Sequence, residues 1–192
     1  MFLEPEITDN ECGWIEVICG SMFSGKTEEL LRRLKRAQIA KQSIEVYKPA
    51  VDQRYDPEAV VSHDRNALRA VPVSSAQQIL LMSSNVRVIG IDEAQFFDAE
   101  IVSVVNRLAN SGKRVIVAGL DMDYLGQPFG PMPQLLAIAE YVTKLHAICT
   151  RTGGMAHFSY RLQEEGNQVL LGSEQEYEAL SRQAFEKAKL SD

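Results

Sequence analysis

Continuous apolar runs alternate with stretches of helical apolar spacing along the first three quarters of the chain. The runs at residues 14–19, 44–48, 86–91 and 114–118 are rich in β-branched residues and predict buried strands. Apolar residues three and four positions apart predict helices at 27–41, 101–112 and 135–141, and polar residues 49–57 predict an exposed loop. Buried strands separated by helices are typical of an α/β fold, in which a parallel sheet is covered on both faces and binds ligands at the carboxyl ends of its strands.

The last quarter of the chain differs in composition. Polar residues and glycines dominate residues 149–172, where Gly153-Gly154 and Gly166-Asn167 signal turns, and the charged stretch 174–189 is expected to end in a helix. We interpret residues 14–148 as the main domain and residues 149–192 as a small second lobe. Residues 1–13 are acidic and lack the basic-then-apolar layout of a signal peptide, so we expect a short tail there.

Composition narrows the class of protein. With 192 residues, of which 45% are hydrophobic, the chain can build one domain with a small appendage. No apolar run approaches the roughly 20 residues of a membrane-spanning helix, and three unevenly spaced cysteines suggest no disulfide framework, so we expect a cytoplasmic protein without a membrane partner. The net charge of −6 argues against a nucleic-acid partner, because phosphate backbones are bound by clustered Lys and Arg.

The segment between the first predicted strand and the first predicted helix matches the phosphate-binding pattern G-x-x-x-x-G-K-[ST]. Its residues are Gly20, Ser21, Met22, Phe23, Ser24, Gly25, Lys26 and Thr27. The glycines allow backbone N–H groups to point inward, and the start of the helix adds partial positive charge where phosphate binds. Lys26 is expected to bridge the β- and γ-phosphates of a nucleoside triphosphate, and Thr27 to offer its hydroxyl to Mg²⁺.

An acidic pair follows the third predicted strand. Asp92 comes directly after the apolar run 88–91, where P-loop enzymes place the carboxylate that holds the Mg²⁺ shell. Glu93 is then available to orient a nucleophilic oxygen and accept its proton. A water nucleophile would make the protein an ATPase, and a substrate hydroxyl would make it a kinase.

Three other classes share parts of this pattern. A GTPase switch would need an N-K-x-D run to read guanine, and the chain has none. The run Asp92-Glu93-Ala94-Gln95 is similar to a helicase motif. A helicase that moves along a strand needs paired domains, however, and this acidic chain has one P-loop domain. A non-catalytic nucleotide-binding protein would have no use for the Glu93 base, and a kinase of a different deoxynucleoside remains an alternative.

Several further segments extend the match to one family. They are residues 48–55, 62–64, 91–97, 118–124 and 128–130, which together with the P-loop span most of residues 14–148. In order and spacing they closely resemble the small tetrameric P-loop thymidine kinases of bacteria and animal cytosol. The resemblance implies a RecA-like P-loop NTPase domain followed by a lasso lobe, a loop that closes over the nucleoside.

This resemblance also implies the reaction and its residues. ATP and Mg²⁺ would give the γ-phosphate to the 5′-hydroxyl of thymidine, with deoxyuridine also accepted, to make dTMP in nucleotide salvage with Glu93 as base. ATP would contact the P-loop and residues Asp92, Glu93, Ala94 and Gln95, and Mg²⁺ would contact Thr27 and Asp92. The nucleoside would contact Met22, Asp52, Arg54, Phe96, Leu120, Tyr124, Phe129, Ser159, Arg161, Gln168, Val169, Leu170, Leu171, Gly172 and Tyr177. A homotetramer and feedback inhibition by dTTP are implied in the same way.

The chain departs from the family at its zinc site. Most members tie the base of the lasso with zinc held by two C-x-x-C pairs, and the corresponding positions here are Cys149, Thr152, Ser181 and Ala184. Thr, Ser and Ala do not replace the thiolates of a structural zinc site. We therefore expect no structural zinc, a lobe held by packing and hydrogen bonds, and Cys149 as a small buried hydrophobe.

Overall fold

A computed structural model describes residues 12–51, 59–61, 67–83, 85–162 and 176–190. The main domain contains β1 (Trp14–Gly20), α1 (Lys26–Ile39), β2 (Ile44–Pro49), β3 (Ala59–Val61), β4 (Ala67–Arg69), β5 (Val71–Val73), α2 (Ala76–Met82), β6 (Val88–Ile91), a 3₁₀ turn (Ala94–Phe96), α3 (Glu100–Asn110), β7 (Arg114–Gly119), α4 (Met132–Ile138) and β8 (Tyr141–Leu145). The chain continues with β9 (Ala147–Ile148), β10 (Met155–Ala156), β11 (Phe158–Arg161), β12 (Tyr177–Leu180) and α5 (Arg182–Lys189). We use the name second lobe for the described residues from 147 onward, so it includes β9, which precedes the boundary expected at residue 149.

The predicted parallel sheet is present and has six strands in the order β5-β2-β6-β7-β1-β8. Every neighbouring pair in it is parallel. Helix α1 covers one face through a cluster that includes Leu30 and Leu34, while α2, α3 and α4 cover the other through a cluster that includes Ile79, Val104 and Leu135. Because β6, β7 and β1 are adjacent, the segments that follow these three strands meet at one edge of the sheet.

The four predicted strands are confirmed, but the helix predicted at 135–141 is misplaced. The helix covers Met132–Ile138, and Tyr141 begins the edge strand β8. The sequence did not indicate β8 because its residues are largely exposed and form no continuous apolar run. It did not indicate β5 either, a three-residue strand with Pro72 at its centre.

The second lobe has its own small core. Antiparallel pairs β9–β10 and β11–β12 pack with α5 around buried residues that include Ala156, Leu180 and Phe185. The rings of Phe158 and Phe185 stack with centroids 4.4 Å apart. Phe23 of the P-loop packs against this cluster, so the lobe contacts the predicted phosphate site.

None of the helices within the described ranges is long and apolar enough to cross a membrane.

Candidate active site

The P-loop takes its shape from residues with positive φ angles. Gly20 has φ 143°, and a Cβ there would lie 2.2 Å from the carbonyl oxygen of Leu145. Gly25 precedes α1 with φ 84°, and Phe23 between them has φ 62°. The Nζ of Lys26 donates to the carbonyl oxygen of Ser21 at 2.7 Å. The charged group of the lysine is thus held over the loop, where a phosphate would bind.

Thr27 and Asp92 connect the P-loop to the end of β6. Thr27 Oγ1 donates to Asp92 Oδ2 at 3.3 Å, and Asp92 Oδ1 accepts from the N–H of Glu93 at 3.0 Å. The Asp92 carboxylate is mostly buried. A hydroxyl and a carboxylate at this separation suit Mg²⁺, which prefers oxygen ligands and is shared with the phosphates of its nucleotide. The donor set therefore fits the metal that the sequence predicts.

Glu93 has an unusual backbone and a buried partner. Its φ and ψ are 52° and 41°, in the left-handed region that residues other than glycine seldom adopt. Gln95 Nε2 donates to Glu93 Oε2, while Gln95 Oε1 accepts from the N–H of Leu120 at 2.9 Å. Gln95 and Ala94 are both buried. The sequence pointed to Gln95 only as part of an ATP-contacting segment, and its bridge to the segment after β7 was missed because Leu120 lies far along the chain.

Several predicted nucleoside contacts pair with one another. The rings of Phe96 and Phe129 pack edge to face at 5.7 Å. The Arg161 guanidinium lies 5.3 Å from the centre of the Tyr124 ring. The N–H of Met22 in the P-loop donates to Ser159 Oγ at 2.9 Å. Arg161 and Tyr177 are neighbours across β11 and β12.

Other predicted contacts lie outside the described residues and stay predictions. They are Asp52, Arg54, Gln168, Val169, Leu170, Leu171 and Gly172, together with the matching segment 62–64.

An ion pair beside β1 was not anticipated as part of the site. Lys144 Nζ lies 2.6 Å from Oδ2 of Asp121, a buried carboxylate that follows β7. Burial and the charge of Asp121 raise the pKa of the neighbouring Cys19 thiol to about 11. The sequence signal for this ion pair was Asp121, an acidic residue two positions after an apolar strand. Its partner Lys144 lies on β8, a strand that the sequence did not predict.

The four positions of the family's zinc site meet at the base of the second lobe. Thr152 Oγ1 donates to Ser181 Oγ at 3.4 Å, and the N–H of Ala184 donates to the same oxygen at 3.4 Å. Burial raises the pKa of the Cys149 thiol, but hydrogen bonds with Thr152, Ser181 and the Arg151 backbone outweigh it and bring the pKa to about 6. Cys149 is buried as expected and belongs to the hydrophobic cluster of the second lobe, although its thiol also has these hydrogen-bond partners.

Within the described part of the chain, no group of three or more His, Cys, Asp or Glu side chains is arranged to hold a metal ion.

Comparison with known proteins gives one consistent result. The sequence model of the family described as thymidine kinase matches residues 13–185. A thymidine kinase of Rhodothermus sp. (strain ITI 518) is 62% identical over 188 residues, which cover 97% of this chain and 88% of that protein. A thymidine kinase of Bacteroides thetaiotaomicron is 57% identical over 193 residues, covering 100% and 97%, and one of Porphyromonas gingivalis is 58% identical over 190 residues, covering 96% and 93%.

Proposed function

Because the chain belongs to the thymidine kinase family, and so is an ATP-dependent kinase that phosphorylates thymidine in salvage, we propose that Glu93 is the base of the transfer. The observation that carries this assignment is the link from Thr27 to Asp92, which joins the P-loop to the segment that bears Glu93. A carboxylate next to the phosphate site is within reach of the hydroxyl that attacks the γ-phosphate.

In the proposed reaction, the P-loop N–H groups and Lys26 bind the phosphates of ATP. Thr27 and Asp92 would hold Mg²⁺, which neutralises charge on the β- and γ-phosphates. Glu93 takes the proton of the thymidine 5′-hydroxyl as its oxygen attacks the γ-phosphorus. The bond from that phosphorus to the β–γ bridging oxygen breaks, its electron pair leaves with ADP, and dTMP forms.

The proposed nucleoside site lies between the P-loop and the second lobe. The contact of Phe96 with Phe129 and that of Arg161 with Tyr124 supply aromatic faces and a cation near the loop. Aromatic faces suit a flat, methyl-bearing base, and a cation offsets charge on the transferring group. Family membership extends the proposal to residues outside the described ranges, with Asp52, Arg54 and the segment 168–172 as contacts of the nucleoside.

Several finer properties belong to the same proposal. We propose deoxyuridine as a second substrate, dTTP as a feedback inhibitor and a homotetramer as the assembly, each because of family membership. A cytoplasmic location is supported by three cysteines that are all free thiols, as expected in a reducing compartment.

The test is the substitution Glu93→Gln, which keeps the shape of the side chain and removes the base. We expect kcat to fall by about 10²- to 10⁴-fold, the usual contribution of a general base, while ATP still binds. The measurements are steady-state kinetics with a nucleoside panel and direct titration of ATP. Glu186→Gln, on the exposed side of α5, is the matched control and should keep the parental kcat. An unchanged kcat in Glu93→Gln would remove Glu93 from this role.

A further inference from the structure

Gln95 is buried, and both ends of its amide are engaged in hydrogen bonds that meet at the proposed base. Its Nε2 donates to Glu93 Oε2 and its Oε1 accepts from the N–H of Leu120 at 2.9 Å. We propose that Gln95 is a positioning residue, which orients the Glu93 carboxylate and ties it to the segment after β7. This inference rests on the proposed role of Glu93 as base.

The orientation of Glu93 matters because a general base must lie within hydrogen-bond reach of the proton that it takes. Its backbone is in the left-handed region, and its side chain is only partly buried. A glutamate loses considerable rotamer freedom when it is held in one orientation. A bond to one carboxylate oxygen, made by a group that is itself immobile, supplies that order before substrate arrives.

Two glycines allow the backbone to pack closely against Gln95 and restrict its movement. A Cβ on Gly119, the last residue of β7, would lie 2.9 Å from Gln95 Oε1. A Cβ on Gly130 would lie 2.4 Å from the Gln95 carbonyl oxygen, and Gly130 has φ 49°. The backbone of residues 119 and 130 therefore approaches Gln95 closely on two sides. Side chain and main chain of residue 95 are both confined, so the amide can serve as a fixed donor.

The chemistry of this position favours an amide over the alternatives. Glutamine presents a donor and an acceptor at the same time, whereas an ionised glutamate has no donor and a methionine has no strong donor or acceptor. The acceptor satisfies the Leu120 N–H, and the donor remains for Glu93. Both ends of the side chain are thus used within the protein, and this positioning role is separate from the ATP contact that the sequence resemblance implies.

A double-mutant cycle tests whether Gln95 acts through Glu93. Gln95→Met should lower kcat by about 10- to 100-fold, as misplaced catalytic groups do, while KM for ATP and thymidine changes by less than about twofold. Added to Glu93→Gln, the same substitution should change kcat by less than about twofold, because the group it orients is no longer a base. Gln77→Met, at an exposed position of α2, is the control for the glutamine-to-methionine change.

Each part of the cycle can fail separately. An equal loss in both backgrounds would assign Gln95 an independent role, and a raised KM for ATP at unchanged kcat would make it a nucleotide contact. Either outcome, or an unchanged kcat in Gln95→Met, overturns the proposal for Gln95 while leaving Glu93 as base. An unchanged kcat in Glu93→Gln alone overturns the proposed base instead.

A second variant keeps the test valid should Gln95→Met fold poorly. In Gln95→Glu, a protonated residue 95 can still accept from Leu120 and donate to Glu93, whereas the ionised form places two negative charges together. The ratio of its kcat to that of the parent enzyme should therefore fall as pH rises, with the thermal midpoint followed across the same range. A ratio that is flat across pH, in a variant that remains folded, contradicts the positioning role.

Discussion

Cys149 packs at the base of the second lobe, where Thr152 and Ser181 converge on its sulfur. A thiol with a pKa of about 6 is ionised at neutral pH. Cys19 is the opposite case, because burial beside Asp121 raises its pKa to about 11 and keeps it protonated. The two buried thiols thus differ in pKa because hydrogen bonds lower that of Cys149, whereas burial and then the charge of Asp121 raise that of Cys19.

The charge of Cys149 leads to a pH-dependent stability. Its pKa falls from the usual 9.0 in the unfolded chain to about 6 in the fold, so its contribution is complete above 9.0 and is lost as pH drops through 6. We expect the difference in unfolding free energy between the parent and Cys149→Ala to grow as pH rises between these two values. Urea unfolding at a series of pH values provides the measurement.

Cys19→Ala is the control for this experiment. The pKa of Cys19 is raised rather than lowered, so its contribution is constant below 9.0 and declines only as pH rises toward 11. Its difference from the parent should be flat across the window in which that of Cys149→Ala grows. A flat difference for Cys149→Ala as well would show that Cys149 is an ordinary thiol.

Individual site residues differ in how far the sequence predicts them. The roles proposed for Lys26, Thr27 and Asp92 depend on neighbours in sequence and on the ends of adjacent strands, so a motif can predict their placement. The bonds of Gln95 and the surroundings of Cys149 depend on partners from segments distant in the chain. Only the packing of those segments decides them, and the sequence therefore carries no local signal.

At the scale of elements, α1 is fastened to the sheet by a buried ion pair. Arg33 Nη1 lies 2.8 Å from Oε2 of Glu16 on β1, and both side chains are fully buried. The other oxygen of Glu16 lies 2.7 Å from Nε of Arg114, and Arg33 Nη2 donates to Thr143 on β8 at 2.9 Å. One charged cluster therefore links α1 to three strands, β1, β7 and β8.

Removing Arg33 should destabilise the fold markedly. Arg33→Met leaves the Glu16 carboxylate with one fewer buried counter-ion, and breaking such a pair costs about 3–5 kcal/mol of unfolding free energy. Arg32→Met is the control, because the Arg32 side chain is 46% exposed and an exposed pair contributes about 0–1 kcal/mol. Urea unfolding of both variants gives the comparison, and equal losses would contradict a special role for the buried pair.

The elements that the sequence predicted correctly are those with a strong local pattern. Strands β1, β6 and β7 are almost wholly buried, so most of their residues are apolar. Strand β8 lies at the sheet edge with exposed residues, and α4 is only seven residues long, so neither has a pattern long enough to fix its bounds.

At the scale of the whole molecule, packing and ion pairs connect the described parts of the second lobe. Stacked Phe158 and Phe185 fill its core, and Arg151 forms an ion pair with Glu178 at 2.7 Å across the lobe. We expect metal analysis of the purified protein to find zinc well below one ion per chain, and a chelator to leave its thermal midpoint unchanged. Near-stoichiometric zinc, or a midpoint that falls with chelator, would contradict this expectation.

The general architecture could be predicted from the sequence, whereas the packing of the second lobe against the P-loop could not. Parallel α/β topology follows from the alternation of buried strands with helices. The contact of Phe23 with the core of the lobe depends on how two separately patterned regions pack, and neither region carries that information alone.

The hydrogen bond from the Met22 N–H to Ser159 bears on how the binding of the two substrates is coupled. It connects a loop proposed to bind ATP with a strand proposed to flank the nucleoside. If one ligand changes the affinity for the other by strengthening or weakening that bond, the second ligand must change the affinity for the first by the same factor, since such linkage is reciprocal. The order in which the two substrates are added then alters the path to the ternary complex but not its final free energy.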